Sequence, residues 1–118
     1  TLRENLCGVD EVRLIVQDDQ NAEASHYCAV IVLNKDIRSK RDDIILQMTE
    51  SNIGVSIYYP GPVPCMKYYR DKYGYSRDDY PNASVISEGS IALPVGPHLN
   101  DDDMVYVADT LKSILRRL

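Results

Sequence analysis

Hydrophobic and polar positions along this chain change period several times, and each change predicts an element. Arg3 to Cys7 reads as the last turn of a helix, stopped by Gly8. Val12-Arg13-Leu14-Ile15-Val16 reads as a short strand, and the polar, acidic residues 17–24 as a surface loop. Seven apolar residues then run unbroken from Tyr27 to Leu33, rich in β-branched types, which suits a strand covered on both faces. Between residues 36 and 51 the spacing becomes helical, with Ile37, Arg41, Ile44, Ile45 and Met48 on one stripe. Asn34 or Asp36 caps its start, and Asn52 takes the left-handed position that ends it. Period two follows over residues 53–59. Ile53, Val55, Ile57 and Tyr59 form a core face, while Gly54, Ser56 and Tyr58 face something other than core.

Pro60, Pro62 and Pro64 stop that strand, since proline fixes φ and cannot donate to a ladder. Residues 66–73 suit a short helix ended by Gly74. Of the nine tyrosines, seven lie between Tyr58 and Tyr80, in a chain without Phe or Trp. A tyrosine has an apolar body and a hydroxyl that wants a partner, so the cluster suits a partly wet surface where most rings pack on one another. Residues 87–93 supply another short strand, ended by Pro94. Asn100 before Asp101, Asp102 and Asp103 is a helix start, its acids favoured at the positive end of the dipole. Val105, Ala108, Leu111 and Ile114 or Leu115 form the buried stripe, and Arg116 and Arg117 close the negative end. The triplet lacks the glycine and terminal glutamate of a calcium loop, so it reads as capping. Strands and helices alternate unevenly, with no repeat or linker. The expected fold is therefore α+β: one domain over residues 1–118, with a small, mostly antiparallel sheet of three to four strands packed with helices.

Composition narrows the function classes. At 118 residues the chain is long enough for one real core. Thirteen Lys+Arg against eighteen Asp+Glu give a net charge of −5, which argues against a nucleic-acid partner held through phosphates. No apolar run approaches the ~20 residues of a membrane span, and no signal-peptide pattern opens the chain. Cys7, Cys28 and Cys65 are odd in number and widely spaced, so reduced thiols and a cytoplasmic location are expected. His26, Cys28 and the distant His98 do not form a metal-ligand spacing, so no metal is expected. A nucleophile elbow and a phosphate-binding loop are both missing. The chain opens on Thr1 without an initiator Met, as a piece of a longer protein would.

Several segments, taken in order, bear a family likeness. Ser51-Asn52-Ile53-Gly54-Val55-Ser56-Ile57-Tyr58-Tyr59-Pro60-Gly61-Pro62-Val63-Pro64 resembles a hallmark of the nucleotide-sugar aminotransferases (the DegT/DnrJ/EryC1/StrS family). There a helix ends, a Gly-Ile-Gly-type strand follows, and a His-Tyr-x-x-Pro-type turn comes next. Tyr68-Tyr69-Arg70 with Tyr73-Gly74-Tyr75 resembles the "Tyr, then Gly-Tyr" stretch that succeeds it. Pro81-Asn82-Ala83 is similar to the family's Pro-x-Ala, and Ser90-Ile91-Ala92-Leu93-Pro94-Val95 to its Ser/Leu-Pro-hydrophobic segment. Leu99-Asn100-Asp101-Asp102-Asp103 resembles the cap before its final helix. The likeness covers roughly residues 27–118.

The resemblance implies the aspartate-aminotransferase-like fold with pyridoxal 5′-phosphate (PLP) as the parent's cofactor. It implies that this chain is the C-terminal small domain of a homodimeric enzyme. The large N-terminal domain, which carries the Schiff-base lysine, would lie outside it. The implied parent reaction moves an amino group from glutamate or glutamine to a keto nucleotide-sugar. The small domain would close over the active site, contribute no catalytic residue, bind no PLP alone and be inactive in isolation. The turn after the alternating strand approaches the active site in the family, which makes Ser56, Tyr58 and Tyr59 the candidate substrate-binding residues, with Tyr59 packing beneath Tyr58. Two departures stand out. Tyr58 replaces a common His, and Pro64 a second one. A phenol can hydrogen-bond a sugar hydroxyl but does not titrate near neutrality. A dehydratase of the same family and a free-standing, non-enzymatic binding module are the alternative readings.

Overall fold

The computed structural model describes residues 1–15, 20, 21, 23 and 25–118. Three antiparallel strands, β1 (Val12–Leu14), β2 (Ala29–Leu33) and β3 (Ser90–Leu93), lie in the order β1-β2-β3. Val12 stands opposite Leu33, and Ala29 opposite Leu93. Five α-helices accompany them among the described residues: α1 (Leu2–Asn5), α2 (Arg41–Glu50), α3 (Lys67–Tyr73), α4 (Pro81–Gly89) and α5 (Asp101–Leu115). The architecture is α+β, with a small antiparallel sheet packed by helices.

Alternation along the strands assigns the two faces of the sheet. Ile31 and Leu33 of β2, with Ile91 and Leu93 of β3, enter the main core together with Ile44 and Met48 of α2 and Ala108, Leu111 and Ile114 of α5. Val32, Ser90 and Ala92 occupy the opposite face, and they too are buried. Helix α4 packs against β2 and β3, and a Cβ added at its Gly89 would lie 3.3 Å from the Val32 side chain and 3.2 Å from the Leu33 carbonyl. The close approach explains why α4 buries Ser84, Ser87 and Gly89 rather than large residues. Arg41 fastens its last turn by donating to the Ser87 carbonyl at 2.7 Å, a cation on the helix's negative end. At the start of α5 the Asn100 side chain accepts from the Asp103 N–H while the Asp103 carboxylate accepts from the Asn100 N–H, a reciprocal cap.

Several elements depart from the sequence expectations. Helix α1 covers Leu2–Asn5, with Gly8 beyond it at φ 80°. The run from 27 to 33 enters the sheet only at Ala29, because Tyr27 is exposed. Val16 and most of the expected loop 17–24 lie outside the described residues. The helical stretch from 36 begins as a single-turn 3-10 helix (Arg38–Lys40) before α2. Neither Asn34 nor Asp36 is its cap: Ile37 holds that position with no side-chain cap bond, and the Asn34 side-chain oxygen instead accepts from the Asp36 N–H at 3.1 Å in a turn before the helix. Asn52 ends the helix in the left-handed region at φ 57°, where asparagine is tolerated. Residues 53–59 do not form a strand. They join the sheet only at Ser56, which pairs with Ala92, and the alternation ends after Ile57. The expected strand 87–93 is shortened because Ser87 and Gly89 belong to α4, a helix whose inward face has no apolar stripe to announce it.

Candidate functional site

The candidate site forms where residues 53–59 leave the sheet. Ile53, 4% exposed, anchors the segment in the core. Ser56 is then held by two backbone hydrogen bonds with Ala92, at 3.1 and 2.7 Å. Beyond that bridge the chain has no further partner strand, and Tyr58 and Tyr59, joined by a cis peptide, project from the surface. A cleft of about 160 Å3 opens between this segment and the end of β3. Gly54, Ser56 and Tyr58 line one side, Pro94 and Val95 another, and Tyr27 and Cys28 complete it.

Ser56 and Tyr58 are therefore brought together on one cleft. Tyr59 is not on it. With 68% of its surface exposed against 42% for Tyr58, Tyr59 lies beside Tyr58 rather than beneath it, ring centroids 6.0 Å apart. The chain turns away at Pro60, so nothing of its own covers Tyr59.

Tyr27 was hidden from sequence reasoning because it opens an apolar run that reads as buried strand. Its ring stands 6.4 Å from that of Tyr58. The preceding His26 has φ 50°, a left-handed conformation just upstream of Tyr27, and the regular strand begins beyond Tyr27, at Ala29. Tyr27 also borders a groove of about 670 Å3 shared with Leu2, Leu14, Val95 and Met104.

A second surface lies alongside. Val63 is 52% and Met66 45% exposed, and the rings of Tyr68, Tyr69, Tyr73, Tyr75 and Tyr80 touch in succession at centroid distances of 5.2 to 6.4 Å. Lys72 donates to the Tyr68 hydroxyl at 3.1 Å, and its hydrogen bonds with Tyr68 and Tyr73 raise its pKa. Burial pushes the Tyr80 hydroxyl up, with Tyr75 adding to the effect. Asp79 accepts from the Ser76 N–H at 2.7 Å and hydroxyl at 2.9 Å, which lowers its carboxyl below the ordinary value.

The residues of this chain do not fit a PLP site. Lys35, Lys40, Lys67 and Lys72 are exposed, and Lys112, half-buried on α5, is held by an ion pair with Asp109 at 2.6 Å. A Schiff-base lysine needs a sheltered site that holds its amine unprotonated, and none of the five has one. Among the described residues no group of three or more His, Cys, Asp or Glu could hold a metal ion. Cys7, Cys28 and Cys65 are free thiols. No helix among the described residues is long and apolar enough to cross a membrane.

The fold recurs in solved aminotransferase structures. The protein Spr1654 of Streptococcus pneumoniae, known in PLP and PMP forms, superposes with a TM-score of 0.83 at 21% identity, over 98% of this chain and 28–29% of its own. DesI, solved in the presence of its TDP-sugar product, gives a TM-score of 0.78 at 21% identity, over 98% of this chain and 29% of its own. The spore coat polysaccharide biosynthesis protein SpsC of Bacillus subtilis is 30% identical over 99 residues, covering 83% of this chain and 25% of SpsC. The chain thus has the fold of a segment of the PLP-dependent sugar aminotransferases. It belongs to the DegT/DnrJ/EryC1/StrS aminotransferase family, whose model matches residues 1–112, and it spans about a quarter of the length of the curated relatives it matches.

Proposed function

We propose that this chain is the C-terminal small domain of a PLP-dependent aminotransferase that moves an amino group from glutamate or glutamine to a keto nucleotide-sugar. The observation that carries the reading is the cleft at Ser56 and Tyr58, in a chain of this family that also exposes Tyr59, Val63, Met66 and Tyr68. The sugar context of SpsC and the TDP-sugar product of DesI support the substrate class.

Within that enzyme the chain's residues bind, orient and exclude water. The hydroxyls of Ser56 and Tyr58 can each donate and accept, which matches the alternating donors and acceptors of a sugar. Tyr58 holds the sugar by hydrogen bonding through its hydroxyl. Closure of the small domain fixes the carbonyl and expels solvent. The PLP and its lysine belong to the large N-terminal domain, and the isolated chain binds no PLP and is inactive. The parent is a homodimer, and its three free thiols here favour the cytoplasm.

The test uses the full-length parent, reconstituted with PLP and given glutamate or glutamine with a panel of keto nucleotide-sugars. An amino-sugar product detected by mass spectrometry supports the reading. A deoxygenated sugar without an amine overturns it in favour of the dehydratase, and binding without turnover favours the non-enzymatic module.

A further inference from the structure

We propose that Tyr27 and Tyr58 together form an aromatic wall on which the hexose of a nucleotide sugar stacks; the inference rests on the function proposed above and assigns the sugar's place within it. Among the described residues Tyr27 is the most exposed large apolar side chain, at 79%. Exposing that much ring to water is unfavourable unless something covers it in the working state. Its neighbour is the Tyr58 ring, tilted by 38° at 6.4 Å. At that separation the two rings touch and admit no guest between them, and the exposed surface belongs mostly to Tyr27, with Tyr58 42% exposed beside it. Tyr27 stands just outside the β2 ladder, which begins at Ala29, and follows His26, in the left-handed region at φ 50°.

The surroundings specify the guest. An aromatic face is electron-rich, and the C–H bonds on one side of a pyranose ring present weak positive charge to it. The same sugar carries hydroxyls at its rim, and the cleft offers the hydroxyls of Ser56 and Tyr58 there. At about 160 Å3 the cleft is small beside an ordinary ligand pocket and takes a group no larger than a single sugar ring. Tyr27 also lies on the boundary with the 670 Å3 groove, so a sugar on the wall leaves an open path for the nucleotide that it carries. Sequence position gives no hint of this pairing, because 30 residues separate the two tyrosines and the first opens a run that reads as core.

The test is isothermal titration of the full-length parent with dTDP-glucose and UDP-N-acetylglucosamine, each against its bare nucleotide, dTDP or UDP. The wild type is expected to bind a nucleotide sugar more tightly than the nucleotide alone. Tyr27→Ala should weaken the nucleotide sugar roughly ten-fold, the loss of one aromatic contact, and leave the bare nucleotide within about two-fold. Tyr27→Phe keeps the ring and should stay within about three-fold of wild type. Because Tyr27 is so exposed, neither variant should disturb folding, and unfolding curves check this. Equal weakening of sugar and nucleotide, no change in Tyr27→Ala, or a Phe variant as weak as the Ala variant would each overturn the wall. A wild type that prefers no nucleotide sugar over its nucleotide overturns it as well. Failure of amino transfer with the binding pattern intact overturns the aminotransferase reading and leaves the wall standing.

Discussion

Helices α4 and α5 flank the same sheet and use opposite rules. In α5 the apolar residues turn inward: Val107, Leu111 and Ile114 are at most 4% exposed. In α4 the inward face is Ser84, Ser87 and Gly89, while Val85 and Ile86 remain 36% and 37% exposed. The first helix gains its place by removing hydrocarbon from water within the chain. The second needs small residues to approach the sheet closely, and its branched side chains stay partly exposed on the outer face. The same contrast extends to whole regions. The strands with α2 and α5 close on themselves, whereas residues 58–80 spread tyrosine, valine and methionine over the surface. Apolar composition alone therefore does not locate a core. Under the proposed function, part of that composition would be interface, covered by the large domain or the dimer partner.

The sharpest way to break this contrast is to remove a leucine from an inward and from an outward position. Leu111 is fully buried on α5, and Leu46 is 57% exposed on α2. Leu111→Ala should cost about 2–5 kcal/mol, the usual range for a buried leucine whose cavity cannot collapse fully. Leu46→Ala should stay within about 0.5 kcal/mol. Urea unfolding of both variants decides it, and comparable losses would show that the outward residues are as structural as the inward ones.

A smaller effect probes the close approach of α4. A Cβ at Gly89 would meet the Arg38 side chain at 3.1 Å, the Leu33 carbonyl at 3.2 Å and the Val32 side chain at 3.3 Å. The arginine can swing aside, but the carbonyl is part of β2 and cannot. Gly89→Val should therefore cost about 1–3 kcal/mol as overpacking, read from the shift in the denaturation midpoint. A neutral result would mean that α4 rests loosely on the sheet and its inward serines need another explanation.

How much of this was legible in the sequence follows the same division. The elements that close on themselves announced themselves by period. Helix α5 was readable from Asn100 and its stripe, and the end of α2 from Asn52 in its left-handed position. The α+β class and antiparallel pairing followed from those pieces. Helix α4 was illegible because its buried face carries Ser and Gly, so no hydrophobic period marks it. Residues 53–59 were overread, since alternation persists in a segment that touches the sheet at Ser56 alone. Of the site, Ser56 and Tyr58 were reachable through their alternation opposite the core, and the family likeness gave that face a purpose. Tyr27 was not reachable, because its place on the cleft depends on tertiary contact with Tyr58.

The finest probe concerns the turn that holds the tyrosine surface. Asp79 accepts two hydrogen bonds from Ser76, one from its N–H and one from its hydroxyl, and both favour the charged carboxylate and lower its pKa. A lowered folded pKa means that the contribution of this turn is complete above the ordinary aspartate value and is lost as pH falls through the lower, folded one. The carboxylate is exposed, so solvent screens the effect and the consequence stays local. Following the Ser76 amide by NMR across the acid range should show a titration displaced below that of a free aspartate. Asp79→Asn should abolish it. The neighbouring Tyr75 and Tyr80 rings, 5.5 Å apart edge to face, should report the same transition, because the turn connects them. Resonances of Ile91 and Leu111, fully buried in the core, should not move with it. If they do, the tyrosine surface and the closed core are energetically one unit, and the division between inward and outward halves of this domain fails.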